Sequence, residues 1–215
     1  KTTNITDGSG AGTWGLQNGG TFTHNDGTIR VTSTEGTVHL QSNTFYNITI
    51  DMGDATDQTK VRDNSGNTLT IDEGKFIRDN VSDALTVTGN VQINAGGTLG
   101  HINETGTNTF KQITLESSAT YNATSGTTSI TGGGSPNYIG FSAKNGHNFN
   151  HNNGTVQFDT GGDESWITTN TNNGEVKFHN LIINGTGAYL NKPGLVCDND
   201  LTINAGKQLR PYNQY

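Results

Sequence analysis

The sequence predicts an all-β chain built as a parallel β-helix, or β-solenoid, and three observations predict it. Apolar residues alternate with polar ones in short runs, residues typical of turns separate these runs, and several sequence elements recur. Alternation with a period of two indicates strands with one buried face. Repeated strand–turn units bury too little apolar surface alone and become stable when they stack. A β-sandwich or jelly roll is the alternative, because it also combines short strands with frequent turns.

The composition suits strands and turns. Hydrophobic residues make up 29% of the chain and charged residues 14%. The sequence contains 35 Thr, 30 Gly and 28 Asn, which favour strands or turns. Disordered chains are usually poor in apolar residues and rich in charge or proline, whereas this chain has only 3 prolines. We therefore expect a folded β protein.

The alternating runs are three to five residues long. None continues into the spacing of i, i+3, i+4 and i+7 that a helix requires, so few helices are expected. The runs that show the alternation are 28–31, 48–50, 69–71, 85–87, 91–93, 113–115, 156–158 and 201–203.

Three elements recur along the chain. FTHNDGTI at 22–29 returns as FNHNNGTV at 149–156. VQINAGGTL at 91–99 returns as LTINAGKQL at 201–209. The third element occurs as FYNITI, FKQITL and FHNLII, at 45–50, 110–115 and 178–183. These spacings indicate a superrepeat of about 65 residues, which holds three rungs of roughly 20–30 residues.

The repeated corners have a common chemistry. The Asn-Asp-Gly run 25–27 and the Asn-Gly pair 153–154 predict tight corners, because these residues supply positive φ. A further Asn-Gly corner is predicted at 173–174.

His24 and His151 occupy the same position in two copies of one element. A repeated role such as capping a turn is therefore expected of them, since a catalytic or metal site usually occurs once.

We expect three segments. Residues 1–20 are predicted as an N-terminal cap or linker, 21–209 as the β-repeat domain, and 210–215 as a C-terminal cap or break point.

Cys197 lies in an apolar run, which predicts a small buried side chain. No apolar stretch approaches the length that spans a bilayer, so we expect no membrane span.

The charges limit the candidate functions. The net charge is −7 and no Lys/Arg cluster is present, which argues against a nucleic-acid partner. We expect no cofactor, no metal site and no catalytic residues.

The strongest carbohydrate-binding candidate is the segment with Asp163, Glu164 and Trp166, because an aromatic ring beside carboxylates can hold a sugar. The same acids are the best candidates for the paired carboxylates of a glycoside hydrolase.

The repeated elements at 22–29, 45–50 and 201–209 resemble repeats in bacterial and bacteriophage surface proteins. They are similar to β-helical segments of large adhesins, autotransporter-like passengers and phage fibre or decoration proteins, including those of marine phages. The resemblance implies a structural or interaction module on the virion surface, with a possible host-attachment role. It implies a homo-oligomer with other virion proteins as partners and a cell-surface glycan as a possible further one.

Two other functions remain open. One is a carbohydrate-binding adhesin, located outside the cell or on a bacterial surface. The other is a polysaccharide depolymerase, which is the weaker hypothesis because the sequence shows no catalytic constellation. We therefore expect a protein that is not an enzyme.

Overall fold

The fold is a parallel β-solenoid of about 8 turns. The computed structural model describes residues 1–6, 14–16, 23–32, 37–40, 44–54, 57–61, 64–134, 138–169, 175–190 and 195–211. These residues form strands and turns and contain no helix, which confirms the predicted fold class. In this described part, no helix exists that is long and apolar enough to cross a membrane.

The strands are numbered in chain order. They are β1 (Thr2–Ile5), β2 (Trp14–Leu16), β3 (Thr28–Val31), β4 (Thr37–Leu40), β5 (Thr44–Asp51), β6 (Gln58–Val61), β7 (Asn64–Arg78), β8 (Leu85–Ile93), β9 (Gly97–Leu99), β10 (Asn108–Leu115), β11 (Thr120–Asn122), β12 (Thr127–Ile130), β13 (Ile139–Ala143), β14 (Asn148–Asn150), β15 (Thr155–Phe158), β16 (Glu164–Thr169), β17 (Val176–Ile183), β18 (Gly187–Leu190), β19 (Leu195–Ile203) and β20 (Leu209–Pro211).

Each coil runs over three faces in a fixed order, and a long strand such as β7 bends across more than one face. Coils differ in length. The coil that runs from Thr28 to its pairing partner Asn47 is shorter than the coil that runs from Ile113 to its partner Phe141. The first face consists of 44–45, 65–66, 85–87, 108–110, 127–130, 155–158, 180–183 and 200–203. The second face consists of 2–5, 28–31, 47–50, 68–71, 90–93, 112–115, 139–143, 164–169, 187–190 and 209–211. The third face consists of 14–16, 37–40, 58–61, 75–78, 97–99, 120–122, 148–150, 176–178 and 195–197.

The core fills the centre of the coils. In the alternating runs other than 201–203, the apolar residues are buried and the residue between them faces outward, as in Ile48-Thr49-Ile50. Parallel pairing places equivalent apolar residues above one another, so that Ile50, Ile71 and Ile93 form one continuous column. Strands that lie ~4.8 Å apart bring such branched side chains into contact from coil to coil.

The corners differ from the prediction in one respect. Positive φ falls on Asn25, Asp26, Asn152 and Asn153, not on the glycine that follows each pair. Glycine is needed there because a neighbouring coil passes close by: a Cβ at residue 154 would overlap the carbonyl oxygen of Thr124. The predicted corner at 173–174 lies outside the described residues.

The two ends of the chain take part in the coils. β1 pairs with β3 and β2 pairs with β4, although both lie in the segment predicted as a cap or linker. Residues 210–211 belong to β20, and 212–215 lie outside the described residues. Cys197 is half-buried rather than buried, because it lies on the last coil, where the core is only partly covered.

The copies of the recurring elements that lie after residue 127 do not return to the face of the earlier copies. The corner at 24–27 leads onto the second face at 28–31, whereas its copy at 151–154 leads onto the first face at 155–158. The element at 91–99 runs from the second face to the third, and its copy at 201–209 runs from the first to the second. These two copies are therefore displaced by one face around the solenoid. FHNLII at 178–183 is displaced in the same way, whereas FKQITL at 110–115 lies on the same faces as FYNITI at 45–50.

Candidate functional sites on the outer surface

The predicted carbohydrate-binding residues lie on the outside of the second face. Trp166 and Tyr189 occupy equivalent positions on adjacent coils, and Arg210 follows on the next. The two rings stack with their centroids 5.4 Å apart and their planes 20° from parallel. The guanidinium of Arg210 lies 5.6 Å from the centre of the Tyr189 ring, a cation–π distance. We call Trp166, Tyr189 and Arg210 the aromatic ladder.

Glu164 joins the ladder through a hydrogen bond. The Tyr189 hydroxyl donates to Glu164 Oε1 at 2.9 Å and accepts a hydrogen bond from Arg210 Nη1 at 2.8 Å. Glu164 Oε1 is also 3.9 Å from Arg210 Nη1. The structure thus brings Glu164 and Trp166 into one surface cluster, while Asp163 is exposed in the turn just before β16.

The geometry of the ladder limits how it can bind a sugar. A sugar ring usually stacks on an open aromatic face, but Trp166 and Tyr189 turn one face toward each other. The other face of Tyr189 lies against Arg210. A glycan at the ladder would therefore use ring edges and the Glu164 carboxylate more than a broad apolar platform.

The two histidine corners form the second candidate region. His24 Nδ1 accepts the backbone N–H of Asp26 at 3.0 Å, and His151 Nδ1 accepts that of Asn153 at 3.0 Å. Equivalent histidines thus cap equivalent turns, which confirms the structural role expected from their repetition. Both rings also stack on a ring of the following coil, His24 on Tyr46 and His151 on His179.

The corners differ in the open space beside them. The concavity next to His24 has a volume of about 150 Å³ and is bordered by Lys1, Thr3 and Tyr46. The one next to His151 has a volume of about 390 Å³. Ligand pockets generally measure about 300–1,000 Å³, so only the His151 concavity reaches that range.

The larger concavity lies where the third face is interrupted. From β2 to β14 each third-face strand pairs with the next, but no pairing joins β14 to residues 176–178 in the described part of the chain. The rings of Phe149 and Phe178 still meet inside the solenoid, 5.5 Å apart between centroids. These rings therefore join the two unpaired strands in the interior, and we call the opening between the strands the third-face groove.

Polar side chains line the third-face groove. They comprise amides, imidazoles, one ammonium and one carboxylate, contributed by His147, Asn148, Asn150, His151, Glu175 and Lys177. Asn150 already donates its amide to Asn122 Oδ1 at 2.6 Å, which fixes its orientation. The half-buried ring of Phe149 forms the apolar floor. Donors, acceptors and an apolar surface around one opening suit a neutral ligand rich in hydroxyl groups.

The sequence did not reveal this groove. Its residues belong to β14, to the recurring element at 149–156 and to the start of β17, and an interruption of pairing between the strands leaves no local pattern. The only signal is indirect: His151 repeats His24, so a corner was expected next to the opening.

A buried polar network occupies the corner between the third and first faces. Arg78 forms an ion pair with Glu104, and the two side chains are only 4% and 2% exposed. Arg78 also donates to Asn108 Oδ1, while Asn108 Nδ2 donates to the Tyr121 hydroxyl at 2.9 Å. Burial raises the pKa of Tyr121 to about 12. Because these groups satisfy one another in the core, they form a structural network rather than a site.

Within the described residues, no group of three or more His, Cys, Asp or Glu side chains is arranged to hold a metal ion.

The chain matches no family model, and no curated protein or solved structure is significantly similar to it.

Proposed function

We propose that the protein is a structural and interaction module of a virion surface, in a fibre, a capsid decoration or a tail, and that it attaches to host glycan. The stacked coils support the structural part, because such a stack forms a stiff body that presents side chains at fixed spacings. The third-face groove carries the attachment part. A carbohydrate-binding bacterial adhesin would use the same groove and differ in where the protein is displayed.

The groove suits a glycan for chemical reasons. Sugar hydroxyls both donate and accept hydrogen bonds, and Asn148, Asn150 and the two histidines offer both functions. Lys177 and Glu175 add a charge-assisted donor and acceptor at the rim. Phe149 offers the apolar contact that the C–H side of a sugar ring requires.

A glycan array with the full chain tests the attachment role. We expect Lys177→Ala to weaken binding about tenfold or more, because a hydrogen bond from a charged group is worth ~1.5–3 kcal/mol. Lys75→Ala is the matched control, since Lys75 also lies on the third face but borders no part of the groove. Trp166→Ala distinguishes the two candidate sites: a loss there, with Lys177→Ala unaffected, would move the glycan site to the aromatic ladder.

Electron microscopy of the native source tests the structural role. Labelling with an antibody to the chain should reveal regular, symmetric copies on a capsid or tail. Copies on a bacterial envelope would favour the adhesin instead, and a free protein without any assembly would refute the structural role.

A further inference from the structure

The chain contains five Asn-Gly pairs, and the structure describes three of them. These three are 145–146, 153–154 and 184–185, while 18–19 and 173–174 lie outside the described residues. Glycine has no Cβ, so its backbone nitrogen can closely approach the side chain of the preceding asparagine. An Asn-Gly pair can therefore react with itself, and its surroundings decide whether it does.

The reaction is deamidation through a cyclic imide. The glycine nitrogen loses its proton and attacks the asparagine Cγ, and the side-chain amide leaves as ammonia. Water then opens the imide at one of its two carbonyl carbons, which gives aspartate or isoaspartate. In total, one water is consumed and one ammonia is released, without oxidation or reduction. The pair must have a glycine N–H free of hydrogen bonds, an unconstrained asparagine side chain and access to water.

The pair Asn145-Gly146 meets these conditions. It forms the exposed tip of the turn between β13 and β14, and the turn is closed by the His147 N–H, which donates to the Lys144 carbonyl oxygen at 3.2 Å. Among the described residues, none accepts a hydrogen bond from the Gly146 N–H or forms one with the Asn145 side chain. A Cβ at residue 146 would meet no atom within 4 Å, so the glycine is open to water.

The other two described pairs are held by hydrogen bonds. In the pair at 153–154, the glycine N–H donates to the carbonyl oxygen of His151 at 2.9 Å. In the pair at 184–185, it donates to the carbonyl oxygen of Phe158 at 2.8 Å. Both glycines are buried, and the side chain of Asn184 also donates to a carboxylate of the preceding coil at 2.9 Å. Neither glycine nitrogen can attack until the local structure opens.

We propose that Asn145 is a site of spontaneous deamidation in the folded protein, and that the pairs at 153–154 and 184–185 are protected from it. Each conversion places a new carboxylate on the turn beside His147, which lines the third-face groove. In the isoaspartate product the main chain passes through Cβ, so the hydrogen bond that closes the turn is displaced. The reaction at Asn145 does not depend on what the groove binds.

Peptide mapping by mass spectrometry tests the proposal after the full chain has been kept in mildly alkaline heavy-oxygen water. Only sites that deamidate during the incubation take up the heavy isotope, so earlier conversion is not counted. We expect Asn145 to convert about tenfold faster or more than Asn153 and Asn184, because the hydrogen bonds of the other two glycines must open first. Asn145→Gln should strongly slow the reaction at this position, since the longer side chain would have to form a larger ring.

The same incubation in urea separates the effect of the structure from that of the sequence. Unfolding breaks the protecting hydrogen bonds, so the three pairs should then convert at similar rates. Circular dichroism should show that Asn145→Gln keeps the fold, because the substituted side chain is exposed. An unchanged Asn145, conversion of Asn153 or Asn184 at the same rate in the folded chain, or an equal difference in rates in urea would overturn the proposal.

Discussion

The N-terminal region, residues 1–122, and the C-terminal region, 127–211, build the same solenoid in different ways. In the first, β5, β7, β8 and β10 each run continuously from the first face onto the second. In the second, β12 and β13 divide these faces between two strands, and β17 and β19 instead run from the third face onto the first. Bent strands thus join the first and second faces in the N-terminal region, and the third and first faces in the C-terminal region.

One strand–turn element thus fits more than one corner of the solenoid. The change coincides with the longest coils, which are closed by the pairing of Ile113 with Phe141 and of Thr127 with Thr155. A corner is formed either by a tight turn between two strands or by one strand that bends across two faces. An extra segment in one coil can therefore displace all later copies by one face and leave the pairing intact.

The cores of the two regions also differ. Stacked pairs of aliphatic residues dominate the first region, as in the column of Ile50, Ile71 and Ile93. The second region contains a cluster of rings, in which Phe141, Phe149 and Phe178 lie 5.3–5.5 Å apart between centroids. Phe149 also stacks on Tyr121, so the ring cluster begins at the polar network where the regions meet.

The largest expected effect comes from breaking that network. Glu104→Ala leaves the buried Arg78 guanidinium without its carboxylate, and we expect a loss of ~3–5 kcal/mol in the free energy of unfolding. Urea denaturation measures it. The control is Glu116→Ala, which removes a partly exposed ion pair with Lys144 and a hydrogen bond from Gln92, and it should cost much less, about 1 kcal/mol. Equal losses would mean that the network does not hold the two regions together.

The elements that could be predicted from the sequence depend on short-range patterns. Alternation at 48–50 or 91–93 predicts an inward-facing pair wherever the strand lies. The repeated corner likewise predicts a common role for His24 and His151, because each hydrogen bond joins near neighbours in the sequence.

Other features depend on contacts between distant segments and were not predictable. Arg78 meets Glu104 only because the length of the intervening coil places them in register. The third-face groove exists because β14 and β17 fail to pair, and neither strand shows this in its own residues. The ladder of Trp166 and Tyr189 likewise requires a coil of the right length between the two rings, which neither local sequence reveals.

A second test of the network uses the Tyr121 pKa, which burial raises from 10.0 to about 12. Above pH 10 the unfolded chain loses this proton while the folded protein keeps it, so stability falls as the pH rises to 12. The expected loss over this range is about 2 kcal/mol. Tyr121→Phe should remove this part of the pH dependence in denaturation curves. A variant with the same alkaline loss as the unmodified chain would contradict the role assigned to burial.

Smaller effects are expected at the two repeated glycines, which compare the regions directly. Gly154→Ala should cost ~1–3 kcal/mol, because the new Cβ overlaps the Thr124 carbonyl inside the stack. Gly27→Ala should cost less, since its Cβ would lie 2.8 Å from the nearest atom, the carbonyl oxygen of Lys1, whereas the Cβ at residue 154 would lie only 2.0 Å from the Thr124 oxygen. Thermal unfolding compares them, with Gly162→Ala as the control in open space. A loss at Gly27 as large as the loss at Gly154 would show that the N-terminal coil is as rigid as the interior.

The smallest effect should come from the stacked histidine of the second corner. In His151→Asn the new side-chain oxygen can still accept the N–H of residue 153, but the stack on His179, 5.3 Å between centroids, is lost. We expect a loss of ~0.5–1.5 kcal/mol. His24→Asn is the matched variant at the first corner, where the stack is with Tyr46.

A double-mutant cycle of His151→Asn with His179→Ala isolates the stack from the turn. If stacking between coils stabilises this corner, the two losses measured by denaturation will not add, because the first substitution already removes the contact that the second would break. Additive losses would mean that His151 stabilises only its own turn. In that case the two corners would differ in the space beside them but not in how they hold adjacent coils together.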